Sequence, residues 1–359
     1  MGESLSLLPL AEALKARRPD VTLLITSGTR TAAELLARRL PQGAIHQYAP
    51  VDGPAAVARF LDHWRPVLGV LVESELWPNL ILAARRRGLK LALVSARMTE
   101  ASARGWAKAP ASARALLSCF DLVLPQEPAT AGRLAELGAR VGTALNLKLA
   151  GAPLPADPGE LAVLREATAG RRVLLAASTH PGEEALIAKA FAELPDSSLL
   201  IVAPRHPDRG PEVAALIAAQ GFAVARRAAG EPIAAETQIY VADTLGEMGL
   251  FFRLAEVAVM GGSFAPGIGG HNPLEPARLG RPVITGPDVF NAAEVYAEMF
   301  EAGAAVEAVD GAALARHLAG FLAHRQIARR MGDAGAAYAK RQGAAFDRAL
   351  DLLTPLIPA

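Results

Sequence analysis

Arg172-Val173-Leu174-Leu175-Ala176-Ala177 is an apolar run with a single charge at its start. It is followed by apolar residues at helical spacing over 184–194, and then by Leu199-Leu200-Ile201-Val202-Ala203. Neither run alternates apolar with polar residues, which is the pattern of parallel strands covered on both faces. A helix between two such runs makes a strand–helix–strand unit.

Working outward, the same alternation recurs from end to end. In the first half, strand patterns fall at 21–26, 44–49, 67–72, 89–95 and 122–125. In the second half they fall at 238–242, 257–261 and 282–285, besides the two just quoted. Segments 31–40, 55–64 and 211–220 carry helical spacing between them, and the Ala- and Arg-rich tail, 311–353, reads as a pair of helices. Alternation repeated this often predicts doubly wound α/β layers with parallel sheets. The stretch Gly151-Ala152-Pro153-Leu154-Pro155-Ala156-Asp157-Pro158-Gly159 interrupts it. Its prolines disfavour ladder bonding and suit an extended linker. The expected division is therefore a domain over 1–150 and another over 151–359, with a cleft between them as a ligand location.

The chain has 359 residues, 37 Lys+Arg and 36 Asp+Glu, a formal net charge of +1. At ~150 residues per domain, that length fits two domains with their own cores. Hydrophobic residues at 52% exclude disorder as the dominant state. The near-neutral balance argues against a nucleic-acid partner. The single cysteine, Cys119, makes an internal disulfide impossible and lies in an apolar stretch that suggests packing rather than nucleophilic chemistry. No run of ~20 uncharged apolar residues is present, and the start does not read as a signal peptide.

In open parallel sheets, ligands bind beyond the carboxyl ends of the strands. Glu73-Ser74-Glu75-Leu76-Trp77-Pro78-Asn79 follows the run 67–72, and two carboxylates two residues apart point the same way if the strand persists. The competing reading is a helix start, with Ser74 or Glu75 as cap and Pro78 in the first turn. Glu3 precedes an amphipathic helix over 5–17, where an acidic residue ordinarily only complements the helix dipole. Lys148, in Asn146-Leu147-Lys148, is either solvated or placed to reach a phosphate. Arg205 follows a buried strand between Pro204 and His206, a position suited to a phosphate or nucleotide. Asp243 or Thr244 offers a cap in another strand-end loop. The richest stretch starts Gly261-Gly262-Ser263 and continues through Gly269-Gly270-His271-Asn272-Pro273-Leu274-Glu275. It matches neither the dinucleotide fingerprint nor the P-loop, but its glycines permit close backbone approach, so Gly261, Gly262 and Ser263 form a candidate phosphate loop. Glu275 is a candidate acceptor for ribose hydroxyls. No carboxylate or histidine cluster suggests a metal site.

The order Gly2-Glu3, 73–79, Asn146-Leu147-Lys148, Ser178-Thr179-His180-Pro181-Gly182-Glu183-Glu184, Pro204-Arg205-His206-Pro207, Asp243-Thr244-Leu245-Gly246-Glu247 and 269–276 closely resembles one family. It is that of the 3-deoxy-D-manno-octulosonic acid (Kdo) transferases of Gram-negative lipid A synthesis, and the likeness covers nearly the whole chain. It implies a GT-B fold of two Rossmann-like domains facing a cleft. The N-terminal domain would bind the acceptor and the C-terminal one the donor CMP-Kdo, with the last helix able to pack back on the first. It implies an inverting, metal-independent glycosyltransferase with no cofactor beyond its donor substrate. Kdo would pass to a lipid A precursor, lipid IVA, at the cytoplasmic face of the inner membrane, where the chain would be peripheral. Carried over by motif, Glu3 would be the proton acceptor. Glu73 and Lys148 would stabilise the transition state, with Glu75 a second candidate. Pro204, Arg205, Leu245, Gly246, Glu247, Asn272, Pro273, Leu274 and Glu275 would hold CMP. In the family, Gly-Glu ends a strand-and-loop segment that follows a membrane anchor. Here it follows Met1 directly, so the first strand and any anchor are expected to be missing. Arg85-Arg86-Arg87 or Trp106-Ala107-Lys108 would offer a surface patch instead. Two other readings stay open: a UDP-sugar transferase or epimerase on the same fold, and a catalytically degenerate CMP-binding relative.

Overall fold

The computed structural model describes residues 2–358 except Asp196, without the side chains of residues 2–6 and Leu35. The chain divides into two compact units. Met1–Gly151 and Arg341–Ala359 form one, and Ala152–Lys340 forms the other. Residues 341–359 thus group with the first unit rather than with the segment that precedes them.

The first unit holds two parallel sheets. One pairs β1 (Leu24–Ser27) with β2 (Ile45–Tyr48). The other runs β3 (Leu68–Val72), β4 (Lys90–Ala96), β5 (Leu122–Pro125), with β4 central. The expected strand at 21–26 starts later because Val21 is used in a turn. Its N–H donates to Arg18 O at 3.2 Å and its carbonyl accepts from Lys15 Nζ at 2.8 Å. Strand β4 is buried on both faces, and its side chains sort by the two-residue period. Leu91 and Leu93 pack with Val57, Leu61 and Ile81, whereas Ala92 and Val94 pack with Leu10, Leu147, Leu350 and Leu353. The end of the last helix, Arg325–Leu353, therefore closes one face of this sheet. Each fully buried leucine contributes roughly 1.5–3 kcal/mol. Cys119 is buried here, and desolvation raises its thiol pKa.

The second unit is one seven-stranded sheet, parallel throughout. Its strands are β6 (Arg172–Thr179), β7 (Ser198–Pro204), β8 (Val224–Arg226), β9 (Ile239–Val241), β10 (Val257–Met260), β11 (Val283–Thr285) and β12 (Ala305–Glu307). They are ordered β12-β11-β10-β6-β7-β9-β8. The three-residue edge strands β8 and β12 carry no sequence signal because they are too short to show a period. From β6 the chain builds outward through β7 to β8 and β9, then returns to the other side of β6 as β10. The order reverses between β6 and β10, the place where open α/β sheets form ligand crevices. The tail is two helices, Gly311–Ala323 and Arg325–Leu353, broken at His324, where ψ is 71°. Among the described residues no helix is long and apolar enough to cross a membrane.

Candidate functional site

Glu73 is the residue after β3, and its backbone is left-handed, with φ 58°. That conformation costs a non-glycine residue on the order of 1–3 kcal/mol and concentrates at functional sites. The surroundings hold it there: Glu73 N donates to Val94 O at 3.2 Å, and Arg97 N donates to Glu73 O at 3.2 Å. The carboxylate is 3% exposed. Its Oε1 lies 2.9 Å from Lys148 Nζ, a close ion pair that is not an aligned hydrogen bond, so this buried oxygen keeps unused acceptor capacity. Lys148 reaches it from a short 3₁₀ turn, Leu147–Leu149, built by two local devices. Asn146 Oδ1 accepts from Lys148 N at 3.0 Å, and Ser95 Oγ accepts from the buried Leu147 N at 3.2 Å. Ser95 sits at a bulge where β4 shifts register against β5, with φ 52°.

The other candidates in this unit fall differently. Glu75 is exposed and accepts a hydrogen bond from the indole of Trp77. The helix Pro78–Arg86 has Pro at its start, as expected, but neither Ser74 nor Glu75 caps it. Asp52 does, accepting from Asn79 N at 3.1 Å and Leu80 N at 2.8 Å. Glu3 lies in the first turn of the helix Gly2–Arg17, and its side chain is outside the described residues. Arg85 pairs with Asp121 and Arg87 with Asp62, while Trp106 packs against the core.

In the second unit the loops after β6, β7, β9 and β10 share one edge, because these strands are contiguous and parallel. The candidate phosphate loop is corrected here. Its amides are already occupied: Glu183 accepts from Gly262 N at 2.7 Å, Ser263 N at 3.0 Å and Phe264 N at 2.8 Å, and from His180 N at 2.8 Å. Gly261 N donates to Ala177 O at 2.8 Å. An internal carboxylate fills the nest, so Gly261, Gly262 and Ser263 lock the β10 loop to the β6 loop rather than offering their N–H groups to a phosphate. Gly261 is needed for that closeness, since a Cβ there would lie 2.5 Å from Ser178 O.

Around this lock stand the remaining candidates. Arg205 is exposed, anchored by Arg205 N donating to Thr179 O at 3.0 Å, and Pro204 is buried beneath it. Leu245 is 82% exposed at the tip of its loop, a large apolar side chain left uncovered. Gly246 adopts φ 84° there. Glu247 is held by Arg227 through contacts of 2.7 and 2.5 Å and by the Thr244 hydroxyl. That hydrogen-bonding to Arg227 depresses the Glu247 pKa. Asp243 pairs with Arg226 at 2.6 Å and caps nothing in a helix. Asn272 Oδ1 accepts from Leu274 N at 3.0 Å, and Pro273 and Leu274 are buried. Glu275 is half-buried; desolvation raises its pKa, against the pull of Arg278 and Arg205. Across the reversal point, His180 Nε2 meets His271 Nε2 at 2.9 Å. Sequence reasoning assigned no role to Glu183, His180, His271, Ser95 or Asp52. Glu183, His180 and His271 lie inside quoted motifs, which was the one signal available.

The family model for 3-deoxy-D-manno-octulosonic-acid transferase (kdotransferase) matches residues 1–150. The chain is similar to the 3-deoxy-D-manno-octulosonic acid transferase of Bordetella pertussis, 36% identical over 98% of this chain and 85% of the relative. It is similar to the one from Rickettsia felis, 33% identical over 87% of this chain and 67% of the relative. A solved UDP-N-acetylglucosamine 2-epimerase has the same fold, with TM-score 0.61 and 13% identity over 98% of this chain and 92% of that one.

Proposed function

The chain belongs to the 3-deoxy-D-manno-octulosonic acid transferase family, a family of GT-B glycosyltransferases, and on that premise we propose that it moves Kdo from CMP-Kdo to a lipid A precursor. The observation that carries the residue assignment is the Glu73–Lys148 pair: a buried carboxylate in a strained backbone, with unused acceptor capacity, facing one half-exposed ammonium. A carboxylate that only stabilised the fold would be expected to fill its lone pairs.

The chemistry is a single displacement with inversion. The acceptor hydroxyl attacks the anomeric carbon of the donor sugar, the bond to the phosphate breaks, and its electron pair leaves on the phosphate oxygen. Three demands follow: a base for the hydroxyl proton, a carboxylate for the cationic character of the sugar, and cations for the departing phosphate. Glu3 fills the first by its motif. Glu73 fills the second, and Lys148 both orients Glu73 and adds positive charge. Arg205 serves the phosphate, with 245–247 and 272–275 around the nucleoside. Glu75, bonded to Trp77, is left out. These residues supply the charge a metal would otherwise bring, so the reading includes metal independence. The acceptor is a lipid, so the enzyme would work at the cytoplasmic face of the inner membrane.

The test is a transfer assay with CMP-Kdo and a tetraacylated lipid A precursor, with CMP, UMP and ADP compared by calorimetry. Kdo-bearing product, undiminished by a chelator, together with preference for CMP is expected. Preference for UMP would replace this reading with a UDP-sugar enzyme, and CMP binding without transfer would replace it with a degenerate relative.

A further inference from the structure

Ser95 is the left-handed residue of β4, and the register of β4 against β5 shifts around it. Before it, Leu91 and Leu93 pack with Val57, Leu61 and Ile81, while Ala92 and Val94 pack with Leu147 on the other side of the sheet. After it the phase is reversed, because Ala96 and Met98 join the cluster of Val57, Leu61 and Ile81. Side chains of an extended chain alternate between the two sides. Arg97, between Ala96 and Met98, is therefore turned to the side of Leu147. That is the side from which the turn Leu147–Leu149 carries Lys148 to Glu73. Without the bulge, Arg97 would fall on the side of Leu91 and Leu93 instead.

The backbone of Arg97 is bound into the same place. Its N–H donates to Glu73 O at 3.2 Å, and its carbonyl accepts from Ser74 Oγ at 3.1 Å. Its side chain is exposed and, among the described residues, has no hydrogen-bond or ion-pair partner. Other arginines of this unit do have one: Arg85 pairs with Asp121, Arg87 with Asp62 and Arg104 with Glu100. Glu73 and Lys148 offset each other's charge, so Arg97 leaves this cluster with a positive charge in excess. A guanidinium held beside a buried ion pair, with no carboxylate of its own, is suited to an anionic ligand.

The reaction supplies one. The donor sugar is an ulosonic acid, whose anomeric carbon bears a carboxylate as well as the phosphate that leaves. Glu73 serves that same carbon in the Kdo-transfer reading above, on which this inference rests. Two carboxylates brought to one carbon repel each other, and Lys148 is already engaged with Glu73. We propose that Arg97 binds the carboxylate of the transferred sugar through the paired N–H donors of its guanidinium. The contact orients the anomeric carbon and offsets the repulsion with Glu73. Arg97 makes and breaks no bond and keeps its proton throughout. It also sets specificity: an aldose carries hydrogen where Kdo carries the carboxylate, and would leave the guanidinium without its partner.

The test is steady-state transfer by the whole chain, with CMP-Kdo and the lipid A precursor varied in turn, for the parent, Arg97→Ala and Arg97→Lys. CMP binding is measured beside it by calorimetry. CMP has no sugar carboxylate, so its affinity should stay within about twofold of the parent's. In Arg97→Ala, kcat/KM for CMP-Kdo should fall ~10–100-fold, the loss of a charge-assisted pair, with KM for the lipid unchanged. Arg97→Lys keeps the charge but not the planar fork, and should recover part of that loss. A residue that only supported the fold would lower CMP affinity and melting temperature together. Parent-like kcat/KM for CMP-Kdo in Arg97→Ala overturns the assignment, as does CMP affinity falling in step with it. A raised KM for the lipid with that for CMP-Kdo unmoved, the mark of a lipid phosphate on Arg97, overturns it too. Each of these leaves Kdo transfer standing. A parent that transfers no Kdo overturns both.

Discussion

Glu73 in the first unit and Glu183 in the second are both almost fully buried, at 3% and 1% exposure, and both lie just past the carboxyl end of a strand region. They are opposites in every other respect. Glu183 has four backbone N–H groups from two loops on its two oxygens. Among the described residues, Glu73 has one lysine beside one oxygen and no aligned donor on that oxygen. Burial alone does not separate the two carboxylates; their partners do, backbone N–H groups of two loops for Glu183 and one half-exposed ammonium for Glu73.

The sharpest way to break that contrast is to remove each carboxylate. Glu183→Ala leaves four backbone N–H groups without an acceptor, two buried and two part-buried, at ~1–3 kcal/mol for each buried unsatisfied group, so the second unit should lose much of its stability. Urea unfolding would show it, and a variant within ~1 kcal/mol of the parent would refute the lock. Glu73→Ala should do the reverse, lowering kcat by ~10²–10³ through loss of transition-state charge stabilisation while the melting temperature barely moves. An active Glu73→Ala would remove that residue from the mechanism. Glu3→Ala should likewise abolish transfer and spare CMP binding.

A smaller effect concerns pH. His271 has its pKa lowered in the folded state to about 4, mainly by burial. The unfolded chain therefore binds more protons between about pH 4 and the ordinary histidine value of ~6.5, and stability rises with pH across that window. Below it, both states are protonated and the slope vanishes. In the absence of CMP, His271→Gln should flatten the slope in chemical denaturation between those limits. The smallest effect is expected at Ser178, left-handed at φ 57°. Ser178→Gly relieves ~1–2 kcal/mol of backbone strain but adds ~0.5–1 kcal/mol of entropy cost, so stability should change by under ~1 kcal/mol.

The same contrast explains what was legible in the sequence. Strands such as β6, β7 and β10 are read easily because both faces are buried and their composition says so. Strands β8 and β12, three residues each at the sheet edges, have no room for a pattern. Glu73 and Lys148 were each visible as strand-end residues. Their pairing depends on a bulge at Ser95 that holds the Leu147 amide, and spacing does not encode it. The glycine loop was misread for the same reason. Its glycines do permit an anion, but the anion is Glu183, some eighty residues upstream and invisible to any local window. Asp52 capping a helix twenty-seven residues away is a third case.

The return of residues 341–359 to the first unit also bears on how the protein is made. Ala92, Val94 and Leu124 on the β4 face pack with Leu350 and Leu353, which are synthesised only after the whole of the second unit. At about 5–20 residues per second, the intervening segment takes on the order of ten to forty seconds to emerge from a ribosome. Through that interval the first unit has its strands but not its cover, and its apolar face is exposed to chaperones and to neighbouring chains. The second unit, contiguous in sequence, has no such wait. The first unit to be translated is therefore the last to be finished.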